Sequence, residues 1–347
     1  MRIDDLQQRL RALGAKPAHE ARLLRQWAQA LPLDAGKRRV EDFLPAAVRE
    51  ALPAITADLD GLVRLRSQHL GEDGSARLLV ALADGQTVEC VLLPRDGLCV
   101  STQVGCAVGC QFCMTGQGGL LRQVGSAEIV AQVVLARRLR PVKKVVFMGM
   151  GEPAHNLDNV LEAIDLLGTA GGIGHKNLVF STVGDRRAFE RLPLGRVKPA
   201  LALSLHTTQH ALRTRLLPRA PDIAPDELVA LGADYARTTG YPMQVQWTLI
   251  EGVNDGPDEI DGLVRLLSGT YAVLNMIPYN QVDGLDFRRP SSDRAAEIAR
   301  TLHRRGILTK LRQSAGQDVE GGCGQLRARE AVPRAQAARR VIPVAPH

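Results

Sequence analysis

The sequence predicts an α/β protein whose main part is a full or partial (β/α) barrel, preceded by a helical segment and a small β-rich segment. Three patterns along the chain support this fold class. Apolar residues first recur at helical spacing, short strand patterns bounded by turn signals then follow, and strand-like and helix-like runs finally alternate. Apolar residues make up 45% of the 347 residues and charged residues 23%, which are values typical of a folded globular protein.

The part of the chain before the barrel divides into a helical and a β-rich region. Apolar side chains at three- and four-residue spacing predict helices from residue 3 onward, and Gly14 and Pro32 are typical helix ends. Three short apolar runs predict strands joined by turns, at residues 62–65, 76–82 and 88–93. We therefore expect a helical domain at residues 1–55 and a β-rich connection at residues 56–96.

From residue 97 onward, predicted strands alternate with predicted helices. The strands are Leu98–Ser101, Lys144–Met148, Leu178–Ser181, Ala200–Leu205, Val245–Ile250, Val273–Ile277 and, as a seventh, Lys310–Gln313. The helices between them include Ala127–Leu139, Leu157–Leu167, Asp226–Thr238 and Asp293–Arg304. This alternation predicts a parallel sheet, so we expect a barrel core at residues 97–326 with its functional site on the loops after the strands. Residues 327–347, rich in Ala, Arg and Pro, are predicted to be a disordered tail.

Charge and cysteine content narrow the class of protein. Lys and Arg number 44 against 37 Asp and Glu, and the resulting net charge of +7 fits a nucleic-acid partner. Aromatic residues are only 3% of the chain, so few side chains are available to stack on bases, and charge alone supports RNA or DNA binding weakly. The chain starts with polar residues and has no long apolar stretch, so we expect a cytoplasmic protein with no membrane association. Six cysteines in a reducing compartment indicate metal or redox chemistry.

The strongest local signal is a C-x3-C-x2-C motif formed by Cys106, Cys110 and Cys113, in the loop after the first predicted barrel strand. Three thiolates so close together favour a soft metal or an iron–sulfur cluster. Zinc is an alternative, but it prefers a fourth ligand at short spacing, and the next candidates are His155 and Cys323. Unligated thiols are the third interpretation. Three cysteines on a four-iron cluster leave one iron open to a chelating ligand.

Several segments around this motif resemble one enzyme family, the RlmN/Cfr family of radical S-adenosylmethionine (SAM) RNA adenine methyltransferases. The similar segments run in order along the chain, at residues 98–106, 147–153, 204–206 and 322–326. The resemblance implies a partial barrel with a [4Fe–4S] cluster on Cys106, Cys110 and Cys113, and SAM chelated to the open iron. It also implies an rRNA or tRNA substrate, an electron donor such as flavodoxin, and a monomeric enzyme. The N-terminal helical domain is then a candidate for RNA contact.

The same resemblance assigns a set of SAM contacts at the ends of the predicted strands. These residues are Gly151, Glu152, Ser181, Ser204, Leu205, His206 and Asn280. Each residue alone has a simpler interpretation, because Ser and Asn at strand ends often cap helices and a lone His is more often structural. Their joint position after barrel strands favours a binding role.

The resemblance also gives roles to two further cysteines and one acid. Adenine C2 is an electron-poor sp² carbon and not a nucleophile, so direct polar methylation is implausible. In the family, the cysteine matching Cys323 takes a methyl group from one SAM, and a radical from a second SAM activates that methyl for addition to the ring. The cysteine matching Cys99 then resolves the adduct and leaves a transient disulfide with Cys323. Glu89 matches the proton acceptor, whereas Cys90, on the opposite face of the same strand, is predicted to be structural.

Some segments depart from the family pattern, and alternatives therefore stay open. Residues 114–122, 154–156 and 173–176 differ and bear on RNA recognition. The alternatives are methylation at adenine C8 as in the Cfr branch, a radical SAM enzyme with another RNA or non-RNA substrate, and a non-catalytic RNA-binding protein with a structural metal. The arginines after the fourth barrel strand, Arg213, Arg215 and Arg219, are interpreted as a solvated face.

Overall fold

The computed structural model describes residues 1–280 and 285–312. The helices are α1 (Ile3–Ala12), α2 (Pro17–Ala28), α3 (Ala46–Gly61), α4 (Met114–Gln117), α5 (Ser126–Leu139), α6 (Leu157–Gly168), α7 (Arg186–Arg191), α8 (His210–Leu216), α9 (Pro225–Thr239), α10 (Pro257–Leu267) and α11 (Ser292–Arg304). The strands are β1 (Val63–Leu70), β2 (Ala76–Leu82), β3 (Thr87–Leu93), β4 (Gly97–Cys99), β5 (Gln103–Gly105), β6 (Leu120–Gln123), β7 (Lys144–Phe147), β8 (Leu178–Thr182), β9 (Ala200–Ser204), β10 (Met243–Leu249), β11 (Ala272–Pro278) and β12 (Thr309–Leu311).

One ten-stranded sheet organises the described part of the chain, in the order β1-β2-β3-β4-β7-β8-β9-β10-β11-β12. In this sheet strands β1 to β4 pair antiparallel, and from β4 to β12 every pair is parallel. Strands β5 and β6 form a separate antiparallel pair. Helices connect the parallel strands, as parallel pairing requires. In the described residues β12 is an edge of the sheet and does not close onto β4, so the barrel is partial. The predicted α/β class is confirmed.

The predicted barrel strands all form, and their described ends differ from the predicted ones by at most two residues. The predicted end of the seventh strand, Gln313, lies outside the described residues. The first barrel strand, β4, stops at Cys99 because the Ser101 amide donates to the Gln132 side chain (2.9 Å) instead of a strand partner. Strand β10 starts two residues early, since Met243 already pairs with Ala272 of β11. In the N-terminal region α3 runs to Gly61, so the predicted division at residue 55 falls inside a helix.

The two faces of the sheet have different surroundings. The outer face carries Leu98 and Val145, which belong to one continuous apolar core with α5 and α6. Trp27 of α2 lies in the same core, so the N-terminal helices pack directly on the barrel helices. The inner face, defined by Val146, Val179, Ala200 and Ala202, has a separate small apolar cluster.

Among the described residues, no helix combines the length and apolarity that crossing a bilayer requires.

Candidate functional site

The loop that carries the three motif cysteines begins at the end of β5. Gly105 has a φ of +83°, and a Cβ there would lie 1.9 Å from the Gly119 carbonyl oxygen, so this position accepts glycine alone. The Cys106 amide donates to the same carbonyl (3.0 Å) and closes the base of the loop. Cys106 is buried, and Cys110 and Cys113 are partly buried. The loop backbone is therefore fixed where it enters the first cysteine.

Helix α8 and the residues after it hold the tip of this cysteine loop. The Gln111 amide donates to the Leu216 carbonyl (2.9 Å), and the Arg219 amide donates to the Val108 carbonyl (3.2 Å). Val108 and Leu216 also belong to one small apolar cluster together with Cys106. The cysteine loop is thus attached to an element that starts just after β9.

The three thiols influence one another electrostatically. Burial raises the pKa of Cys106 to about 12 and that of Cys110 well above its usual value, and the nearby Cys113 and Glu152 raise both further. The free thiols of Cys106 and Cys110 therefore keep their protons at neutral pH, so a bound metal must displace these protons. In the described chain no three His, Cys, Asp or Glu side chains converge as ligands of a single ion. The set of three cysteines fits a four-iron cluster, because in such a cluster each cysteine binds a different iron.

Gly151 and Glu152 follow β7, where the carboxylate of Glu152 is buried and bonded to backbone amides. It accepts hydrogen bonds from the Ala154 amide (3.0 Å) and from the Val183 amide (2.9 Å) after β8. Burial raises the pKa of Glu152 to about 7, and these hydrogen bonds oppose the shift. Gly151 has a φ of +102°, and a Cβ there would lie 2.5 Å from the Gln103 side chain. Glu152 therefore connects the loop after β7 to the loop after β8 through hydrogen bonds.

Ser181 and Ser204 lie at the carboxyl ends of β8 and β9, and Leu205 and His206 follow directly. Leu205 is fully buried in the core, where its amide donates to the Gln246 carbonyl (3.1 Å) and its carbonyl accepts from Arg213 (2.6 Å). Asn280 follows β11, and its side-chain oxygen accepts from Arg289 (3.0 Å). The structure thus brings the strand-end residues of the predicted set to one edge of the sheet.

His206 adopts a left-handed conformation, with a φ of +63°. Its Nδ1 accepts from the Thr248 amide (3.0 Å), which places the remaining proton on Nε2. Burial lowers the pKa of His206 to about 3, with a further contribution from Arg213, so the ring is neutral. The ring also makes an edge-to-face contact with Phe112 of the cysteine loop, with 4.9 Å between centroids. His206 therefore connects the end of β9 to the cysteine loop.

Glu89 and Cys99 share the inner face of the sheet. Cys99 pairs with Val91 of β3 and with Val146 of β7, and Glu89 is two residues from Val91, on the same side of the strand. Glu89 is buried, with its carboxylate 3.9 Å from the Arg77 guanidinium. Cys90 lies on the outer face, where its thiol donates to Gln132 of α5 (3.1 Å), in agreement with the prediction that it faces away from Glu89.

Cys323 lies outside the described residues, and with it the proposed disulfide to Cys99. The five described cysteines, Cys90, Cys99, Cys106, Cys110 and Cys113, form no disulfide among themselves.

Three buried polar residues near the site were not predicted from the sequence to have a role there. Arg213 is 3% exposed, so its interpretation as part of a solvated face is wrong. A signal was present, because Arg213 lies three residues before Leu216 and so on its helical face. Glu259 accepts hydrogen bonds from Thr207 and Thr208, and Asn254 donates to the His206 carbonyl (2.7 Å). Each of these hydrogen bonds joins two residues that are 48 to 52 positions apart in the chain, so no local sequence pattern indicates it.

Comparison with known proteins identifies the family. Residues 100–267 match the radical SAM superfamily. The chain is 77% identical over 336 residues to a protein of Leptothrix cholodnii named "Probable RNA methyltransferase", with 97% of each chain covered. It is 78% identical over 329 residues to a protein of Azoarcus sp. with the same description, with 95% of each covered. A solved radical SAM methyltransferase from Sphaerobacter thermophilus superposes with a TM-score of 0.78 at 33% identity, covering 94% of this chain and 97% of that one.

The chain therefore belongs to the radical SAM superfamily and is a radical SAM methyltransferase. Its cofactors are a [4Fe–4S] cluster and SAM, which the family uses. The alternative of a non-catalytic binding protein with a structural metal is wrong.

Proposed function

We propose that this radical SAM methyltransferase is an RlmN/Cfr-type enzyme that methylates C2 of an adenine in ribosomal or transfer RNA. An RNA substrate is supported by the names of relatives that are 77–78% identical over nearly the whole chain. The net charge of +7 is in keeping with a polyanionic substrate. The sequence segments similar to the RlmN/Cfr family support the adenine ring as the target. The same resemblance supports a flavodoxin-type electron donor and a monomeric, cytoplasmic enzyme.

The proposed cofactor sites use the residues at the carboxyl edge of the sheet. Cys106, Cys110 and Cys113 would hold the cluster. The SAM contacts would come from Gly151, Glu152, Ser181, Ser204, Leu205, His206 and Asn280. When bound, the reduced cluster and SAM supply a 5′-deoxyadenosyl radical, and SAM also serves as the methyl donor. Because His206 is neutral with its proton on Nε2, it offers a ligand a hydrogen-bond donor and not a positive charge.

The main support for the proposal is that Glu89 and Cys99 lie on the same face of the sheet. Both lie on the inner face, in or beside the concavity that the parallel strands form, whereas Cys90 points into the outer core. Binding a structural metal on Cys106, Cys110 and Cys113 requires neither Glu89 nor Cys99. A methylation that must remove a ring proton and release a covalent adduct needs both groups.

The roles of these residues follow from the bonds that change. Cys323 would carry the methyl group as a thioether. That methyl would lose one hydrogen atom to the 5′-deoxyadenosyl radical, and its carbon would then bond to the adenine carbon. The adduct would give up the ring proton and one electron, which returns to the cluster. Glu89 accepts the proton that leaves the ring, with the Arg77 guanidinium as its countercharge (3.9 Å). The Cys99 thiolate attacks the Cys323 sulfur, so an S–S bond forms and the C–S bond breaks, and the methyl carbon takes the electron pair and a proton.

An anaerobic assay tests the proposal. Reconstituted enzyme is incubated with SAM, a reductant and total RNA from a strain that lacks the gene, and the nucleosides are analysed by mass spectrometry. We expect 2-methyladenosine with the parent enzyme and with Cys90→Ala, and none with Cys323→Ala or Cys99→Ala. An 8-methyl product would select the C8 alternative. Unmodified RNA together with SAM cleavage would contradict the RNA substrate.

A further inference from the structure

Helix α8 carries a buried cation, Arg213, that binds the ends of two barrel strands. Its Nη1 donates to the carbonyls of Ser204 (3.0 Å) and Leu205 (2.6 Å), at the end of β9. Its Nη2 donates to the carbonyl of Val183, just after β8. One planar guanidinium therefore holds two neighbouring loops at a fixed separation.

The charge of Arg213 is not balanced by a carboxylate in direct contact. Within the described residues no Asp or Glu oxygen lies within 4.0 Å of its guanidinium, and its buried Nε has no hydrogen-bond partner there. Burial lowers the pKa of Arg213 to about 10, and the nearby Cys110 and Glu152 oppose this shift. The packing places this cation close to the cysteine loop, because Val183, whose carbonyl binds Arg213, belongs to the same apolar cluster as Cys106, with Cys110 packed against it.

The same segment fastens the cysteine loop from its other side. The carbonyl of Leu216 accepts from Gln111, and the amide of Arg219 donates to Val108, so the loop is attached within six residues of Arg213. The segment from His210 to Arg219 thus makes hydrogen bonds at both of its ends. It joins the three-cysteine loop at one end to the ends of β8 and β9 at the other.

We infer that Arg213 is a positioning residue for the radical SAM chemistry: it sets the strand ends that face SAM relative to the cysteine loop and offsets the negative charge of the thiolate-ligated cluster. A [4Fe–4S] cluster becomes more negative when it is reduced, so a buried cation beside it favours the reduced state. Two nitrogens of the planar guanidinium donate to the three carbonyls, and a lysine, with a single nitrogen, cannot make the same set of hydrogen bonds. The inference rests on the family's cofactors and is independent of the RNA substrate.

The test compares Arg213→Lys, Arg213→Met and the control Arg215→Met, which alters an exposed residue of the same helix. Each reconstituted holoenzyme is assayed for iron content, cluster midpoint potential, SAM dissociation constant and thermal unfolding. We expect Arg213→Lys to keep the parent's potential and to bind SAM at least tenfold more weakly. Arg213→Met should bind SAM more weakly as well and have a more negative potential. Arg215→Met should match the parent.

Two results would overturn the inference. SAM affinities within twofold of the parent in Arg213→Lys would exclude the positioning role, and this variant decides the matter if Arg213→Met does not unfold cooperatively. Equal potentials in a folded Arg213→Met and in Arg215→Met would exclude the electrostatic role. No RNA is used in these measurements, so failure of the RNA proposal leaves their outcome unaffected.

Discussion

Charged side chains are used differently in the N-terminal helices and at the carboxyl ends of the barrel strands. Where the N-terminal helices meet the barrel, Asp60 of α3 pairs with Arg138 of the barrel helix α5 (2.6 Å) while both side chains are about half exposed, at 46% and 50%. At the strand ends, Glu152, Arg213 and Glu259 are at most 4% exposed, and their partners are backbone groups or hydroxyls. Exposed pairs add little stability, whereas a buried charge is costly unless its surroundings fix it. At the strand ends, buried charged side chains therefore hold the backbone of the loops in place.

The largest expected effect comes from the base of the cysteine loop. Gly105→Ala should lower the free energy of unfolding by about 4 kcal/mol, because it combines a positive φ with a backbone clash at 1.9 Å. The iron content after reconstitution should fall with it. Gly118→Ala is the matched control in the same loop, since its φ is −89° and a Cβ there meets nothing within 4 Å. Equal stability and iron content in the two variants would show that the loop rearranges freely.

Glu259 provides the next comparison, because it holds the residues that follow His206. Its carboxylate accepts hydrogen bonds from the Thr208 amide (2.7 Å), the Thr208 hydroxyl (2.7 Å) and the Thr207 hydroxyl. Glu259→Ala should lower the free energy of unfolding by about 3 kcal/mol, since buried donors lose their acceptor. The exposed Glu297→Ala, which breaks a surface pair with Arg294, should cost about 0.5 kcal/mol. Denaturant unfolding measures both, and similar losses would remove the contrast between the regions.

The smallest expected effect is in the N-terminal region. A double-mutant cycle of Arg138→Ala and Asp60→Ala should give a coupling energy below about 1 kcal/mol, because both side chains remain in contact with water. The coupling should decrease further in 1 M salt, where screening is strong. A coupling above about 2 kcal/mol that resists salt would mean that this surface pair helps to fix α3 on the barrel helices.

The sequence predicted the elements of the barrel well because each is a local pattern. An apolar run such as Leu178–Thr182 forms a buried strand wherever it lies, and the amphipathic period of α6 predicts a helix in the same way. Errors occurred where a distant group decided an end. Ser101 leaves β4 because of Gln132, 31 residues further along the chain, and no pattern near Ser101 indicates that contact.

The sequence by itself determined the cysteine spacing, the alternation of strands and helices, and the placement of polar residues at strand ends, because these are properties of neighbouring residues. Only the tertiary structure decided that Glu89 and Cys99 share the inner face and that Arg213 is buried against Val183, Ser204 and Leu205. Burial depends on which surfaces pack together after the chain folds. Whether a charged residue is exposed to solvent or is buried and hydrogen-bonded therefore depends on residues that lie far away in the sequence.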